Sequence, residues 1–109
     1  MSRIRAFFEA HGESRLERFR AADGLPVRER VGFRRFDEVG VTEYMVLPEA
    51  FRRELCAGHD ARQAARELIA AGWIKPAADG KPSQVVRAPG MGAVRLYIFD
   101  SRKVHDGSL

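Results

Sequence analysis

Residues 47–72, LPEAFRRELCAGHDARQAARELIAAG, constrain the fold most, because their punctuation leaves little choice but two short helices joined by a tight turn. Pro48 suits the first position of a helix, where its missing N–H is not needed and its fixed φ helps. That helix should end near Cys56, since Ala57-Gly58 supplies a residue able to turn left-handed. Asp60 then reads as the N-cap of a second helix, with Gln63 three residues on reaching back in a variant of the capping box, and Gly72 as its stop. Ala61, Ala65, Leu68 and Ile69 recur at i, i+4, i+7 and i+8, a single buried stripe. Arg62, Gln63, Arg66 and Glu67 fall opposite. Arg and Gln pair bidentately with guanine and adenine edges, so this outer face has the chemistry of a recognition helix; it is equally the composition of an ordinary solvated surface.

The flanking segments change period. Ile4, Phe7, Phe8 and His11 have helical spacing, predicting an N-terminal amphipathic helix that stops at Gly12, with His11 as a packed histidine. Residues 14–20, SRLERFR, fit either a helix or a short strand, and residues 21–26 form a loop around Gly24 and Pro26. Between positions 28 and 47 alternation sets in: Val31 and Phe33 alternate with Arg30, Gly32 and Arg34, residues 37–40 turn, and VTEYMVL follows as a strand. Arg28, Arg30, Arg34 and Arg35 read as a solvated face offset by neighbouring carboxylates. After Gly72, Trp73 and Ile74 should cover the end of the second helix, and residues 76–82 make a polar loop.

Two strands close the chain, SQVVRA and AVRLYIFD, around Pro89-Gly90-Met91-Gly92, where Pro-Gly predicts a type II turn. Val94, Leu96 and Ile98 form one apolar face. Val86 and Ala88 join it only if the loop holds an odd number of residues, which places Arg87, Arg95 and Tyr97 together on the other face. Phe99 would share that face, under the N-terminal helix or the C-terminal tail. A basic hairpin directly after a helix-turn-helix is the layout of a winged helix, whose wing meets backbone phosphate or the minor groove.

Composition bounds the function. A chain of 109 residues, 45% hydrophobic and 31% charged, is one globular domain. The formal charge is +4, of which residues 59–109 contribute +3, so the excess lies with the second helix and the hairpin. That bias favours a polyanionic partner. Cys56 is the single cysteine and reads as a small buried residue; the chain can form no internal disulfide, and a reducing cytoplasm is its expected location. No apolar run has the length of a membrane span. Cys56, His59 and Asp60 are too few for a tetrahedral zinc site. His11, His59 and His105 are scattered, and no nucleophile is placed beside any of them. Gly80-Lys81-Pro82-Ser83 has Lys75 where a phosphate-binding loop needs its first Gly, and Pro82 where that loop needs Ser or Thr. No catalytic residue, cofactor, metal or small-molecule substrate is therefore expected.

Read in order, FFEAHGESRLERF, RVGFRR, YMVLPEAFRRELCAGHDARQAARELIAAGWI and VVRAPGMGAVRLYIFD resemble the C-terminal region of a family of uncharacterised ATPases. These are described as primase-helicases of phages, plasmids and integrative mobile elements, and the self-loading helicases of staphylococcal cassette elements look like relatives. The resemblance runs from Ile4 to Phe99. It is most specific at His11-Gly12-Glu13-Ser14-Arg15, Leu47-Pro48-Glu49, Cys56-Ala57-Gly58 and Arg87-Ala88-Pro89-Gly90-Met91-Gly92; Leu16 departs from the family's Ser-Arg-Phe. It implies a C-terminal helix-turn-helix domain of a hexameric, DNA-acting ATPase whose Walker motifs lie upstream of the matched region.

The expectation is thus an α+β, winged helix-turn-helix-like domain over residues 1–109, with an extra N-terminal helix and β-hairpin, serving as the C-terminal module of a larger ATPase or helicase. Its partners would be DNA, through Arg62, Gln63, Arg66, Arg87, Arg95 and Tyr97, and the upstream ATPase domain. Two alternatives stand beside it: a protein-protein interaction module for the ATPase ring or a replication partner, and a small stand-alone transcriptional regulator.

Overall fold

The computed structural model describes residues 2–11, 16–18, 31–36, 38–88 and 90–106. Its elements are α1 (Ser2–His11), β1 (Leu16–Arg18), β2 (Gly32–Phe36), β3 (Val41–Val46), α2 (Pro48–Ala50) continued by a π-helical turn (Phe51–Leu55), α3 (Ala61–Ala70), β4 (Ile74–Lys75), β5 (Gln84–Ala88), β6 (Gly92–Asp100) and α4 (Ser101–Asp106). The result is a small α+β domain. The expected helix stop at Gly12, the loop at 21–26, the arginines Arg28 and Arg30, and the turn residues Asp37 and Pro89 lie outside the described residues.

Five strands run in the order β1-β2-β3-β6-β4, antiparallel except for β1 beside β2, and β5 also pairs with β6. The long β6 organises the sheet. Its first half, Gly92 to Leu96, pairs with β5; its second half lies between β3 and β4. Gln84 Nε2 donates to the Lys75 carbonyl at 3.0 Å, so β5 begins where β4 leaves off. The segment SRLERFR resolves as a strand at Leu16–Arg18, its Leu16 fully buried.

Alternation gives the sheet two different faces. Leu16, Tyr44, Val46, Ile74 and Phe99 turn to one side, where they form the larger core with Ile4 and Phe8 of α1, Phe51 and Leu55 of the π-turn, Ala65 and Leu68 of α3, and Val104 of α4. Aromatic rings knit this layer: Phe8 stacks on Tyr44 at 4.3 Å and meets Phe99 edge-on at 5.1 Å. Phe33, Met45, Leu96, Ile98 and Ala88 turn to the other side as a second, smaller cluster. His11 sits against Phe7, ring centroids 5.0 Å apart, as a packed histidine.

The expected start and stop of α3 are both present. Asp60 Oδ1 accepts from the N–H groups of Arg62 at 2.9 Å and Gln63 at 3.4 Å. At the other end, Gly72 has φ 80°, its N–H donates to Ile69 O, and Trp73 N–H donates to Leu68 O, the paired bonds of a Schellman stop. One detail differs. Gln63 does not reach back to close a capping box, because Glu67 one turn ahead offers a carboxylate to its amide at 3.2 Å. Asp60→Ala should therefore remove α3's side-chain cap and lower stability by about 1 kcal/mol, read as a fall in urea midpoint at unchanged m-value.

The first helix of the pair differs more. Only Pro48–Ala50 is α-helical; Cys56 N–H bonds Phe51 O five residues back, a π-turn that directs Phe51, Leu55 and Cys56 inward together. Nor does the strand pattern at the C-terminus foreshadow α4. Asp100 ends β6 and caps this helix by accepting from Arg102 N–H, while Ser101 Oγ bonds Val41 O and Arg5 Nε bonds Val104 O, fastening α4 to β3 and α1.

Candidate nucleic-acid interface

On α3 the outward positions are as the helical period requires: Arg62, Gln63, Arg66 and Glu67 are exposed while Ala65 and Leu68 are buried. Their side chains are not equivalent. Arg66 donates to the Gln63 side-chain oxygen at 3.2 Å, and Gln63 donates to Glu67, so three of the four form a chain along the helix. Arg62 is outside it, with no ion pair or hydrogen bond from its side chain among the described residues.

The hairpin has the odd-numbered loop that the apolar pattern demanded. Ala88 pairs with Gly92 across three residues, and Met91 N–H bonds Ala88 O with Gly90 at φ 74°, as a type II turn requires. Arg87 lies opposite Ala93 and Arg95 opposite Val85, all four on one face. That face is continuous with Tyr97 and Phe99, which pack under the helices, so the hairpin arginines and α3 are on the same side of the sheet. Arg87 is exposed and unengaged among the described residues. Arg95 is held back along the strand by Ser83, whose carbonyl and hydroxyl it reaches at 3.3 and 3.4 Å.

Tyr97 is placed differently from the arginines. Its ring stacks on Phe51 at 3.9 Å and 16°, so most of its surface belongs to the core and only part reaches solvent. Burial pushes its phenol above the ordinary value, with the Arg52 guanidinium pulling weakly the other way. Burial likewise raises the Cys56 thiol, against a smaller opposite effect of Arg3, making it a poor nucleophile. Both groups fold in their neutral forms. A raised folded-state pKa contributes stability that is whole below the unfolded value and is lost as pH climbs through the folded one. Urea midpoints should then stay level through about pH 8 and fall above roughly pH 9 to 10, where free thiols and phenols ionise. Tyr97→Phe should flatten the upper part of that fall. A midpoint level to pH 11 would contradict the burial of both groups.

The sequence pattern did not single out Arg52, Arg53 and Met91. Arg52 and Arg53 are exposed on the π-turn, and Arg53 pairs with Glu49 at 3.2 Å. Met91 is 38% exposed at the hairpin tip. Between them runs an open groove of about 740 Å³ whose apolar wall includes Val31, Leu47 and Pro48. A helix as short as 48–55 shows no periodicity from which its outward residues could be read; only the hairpin's Gly-Met-Gly sequence hinted at an isolated apolar tip.

No protein-family model, curated protein or solved structure matches this chain. Among the described residues no cluster of three His, Cys, Asp or Glu side chains is placed to hold a metal ion, and no helix is long and apolar enough to cross a membrane.

Proposed function

We propose that this domain is a winged-helix module that binds DNA and positions a helicase- or primase-like ATPase of a mobile element on it. The fold reading draws on element order: a strand, β3, precedes the helix pair, a hairpin follows it, and strand and hairpin meet on β6. The two-helix unit is thereby enclosed between a sheet strand and a wing. The link to an ATPase draws on the resemblance of the sequence segments.

The observation that carries the binding reading is the placement of two uncommitted guanidiniums. Arg62 on α3 and Arg87 on the hairpin are exposed, lie on the same side of the sheet, and have no side-chain partner among the described residues. An arginine already satisfied by a carboxylate gives up that bond to reach a phosphate; these two do not. In this reading α3 enters or borders the major groove with Arg62, Gln63 and Arg66, and Arg87 and Arg95 track the backbone. Tyr97 supports the hairpin from beneath and offers its edge alone. The test is fluorescence anisotropy of a labelled random-sequence duplex titrated with this chain at low salt: binding that weakens as salt rises supports the reading, and no binding rejects it.

A second reading has its own observation. The Arg66–Gln63–Glu67 chain makes α3's surface mixed in sign and internally satisfied, as suits a protein partner such as the ATPase ring. Salt-insensitive association with an ATPase domain, without any DNA binding, would favour it.

A further inference from the structure

The hairpin tip has a form that backbone tracking does not use. Met91 stands between Gly90 and Gly92, both at positive φ, 74° and 69°, and a Cβ on either glycine would meet nothing within 4 Å. The tip is therefore narrow, and Met91 is an exposed thioether flanked by backbone without side chains. Methionine is among the apolar residues that wedge between base steps. Behind it lies the open groove of about 740 Å³, roomy enough to admit a small planar group.

The groove's charge indicates which part of a nucleic acid it would take. Its rim carries Arg52 and Arg53 against Glu49 and Glu54, no net charge, with Leu47, Pro48 and Met91 as apolar wall. A neutral slot with both donors and acceptors fits an uncharged aromatic base, whose edge presents amino and carbonyl groups, better than it fits a phosphate. Phosphates fall instead to the hairpin strands, where Arg87 and Arg95 each lie four residues from Met91. Arg52, with no hydrogen bond or ion pair from its side chain among the described residues, stands at the groove's rim.

From this arrangement we infer that the hairpin tip is a wedge for duplex ends: Met91 stacks on the last base pair of a forked DNA, and the first unpaired base enters the groove between the tip and α2. The inference rests on the DNA-binding reading above and narrows its substrate to duplex–single-strand junctions. Such a junction already has one base pair open, so no unstacking within the duplex is required.

The probe is a forked duplex with two single-stranded arms and 2-aminopurine at the first unpaired position, compared by anisotropy with a blunt duplex of the same paired length. The expected result is about tenfold tighter binding to the fork, the scale of one base stacked on a side chain, with 2-aminopurine emission changing on binding. Met91→Ala, at an exposed position, should bring fork affinity to within about twofold of the same variant's affinity for blunt duplex. Arg52→Ala should reduce the fork preference as well. Equal wild-type affinity for fork and blunt duplex, or a fork preference that survives Met91→Ala, overturns the wedge while leaving DNA binding in place. Failure to bind either DNA overturns the DNA-binding reading itself.

Discussion

Replacing Gly32 with valine should remove a large share of the chain's stability, about 3 kcal/mol or more. Gly32 opens β2, pairs with Leu16 on one side and Val46 on the other, and is buried. A Cβ there would come to 1.9 Å from Met45 O and 2.9 Å from Val46 Cα. Those are backbone atoms of the neighbouring strand, with no rotamer to swing aside. Relief requires β2 and β3 to separate, which disrupts the Phe33–Met45 contact on one face and the Leu16 and Val46 burial on the other. Overpacking at an unyielding site costs about 3 kcal/mol or more, against a total stability of about 5–15 kcal/mol for a domain of this kind. Gly80→Ala is the control. Its φ of 87° makes alanine strained, but nothing lies within 4 Å of the added carbon, so about 1 kcal/mol is expected. Urea unfolding followed by tryptophan fluorescence reads both, because Trp73 is buried in the larger core. A Gly32→Val midpoint near wild type would mean that β2 and β3 do not approach as described.

That glycine also marks where sequence reasoning ends. Alternation identified β2 and β3 as strands and Gly32 as one of their residues, but nothing local says which backbone lies across from it. The features legible in the chain were those enforced within about ten residues: the Asp60 cap, the Gly72 stop, the odd loop that aligns Val86 and Ala88 with Val94 and Leu96. Pairings that join distant segments, β3 with β6 and β1 parallel to β2, leave no mark on either partner's pattern. Ser101 to Asp106 escaped because Asp100 serves two elements, ending a strand of alternating residues and capping the helix after it. The interface shows the same division. Period alone turned Arg62 and Arg66 outward and set Arg87 beside Arg95. It could not reveal that Phe51 covers Tyr97, nor that Arg66 and Arg95 already have partners while Arg62 and Arg87 have none among the described residues.

Substituting Arg62, Arg66, Arg87 and Arg95 together by alanine should weaken duplex binding by about two orders of magnitude at low salt, since exposed ion pairs each contribute about 0.2–1 kcal/mol. Most of the loss should already appear in the Arg62→Ala, Arg87→Ala double variant. Restoring Arg66 and Arg95 retrieves side chains that must first leave Gln63 and Ser83. Folding should be nearly untouched, because all four positions are exposed and surface changes of this kind usually stay within about 0.5 kcal/mol. Arg95→Ala also removes the strand's hold on Ser83, so the thermal midpoint of each variant is measured alongside its affinity. Unchanged duplex affinity in a folded quadruple variant would exclude these arginines as the contacts.

The salt dependence of duplex binding tests the central claim most directly. Each neutralised phosphate adds about −0.9 to the slope of log K against log salt. If α3 and the hairpin together neutralise about four to six phosphates, the wild-type slope should be roughly −4 to −5, and the Arg62→Ala, Arg87→Ala variant should be shallower by about 2. A slope near zero, or one identical in the wild type and the double variant, would contradict a DNA interface built on these two faces.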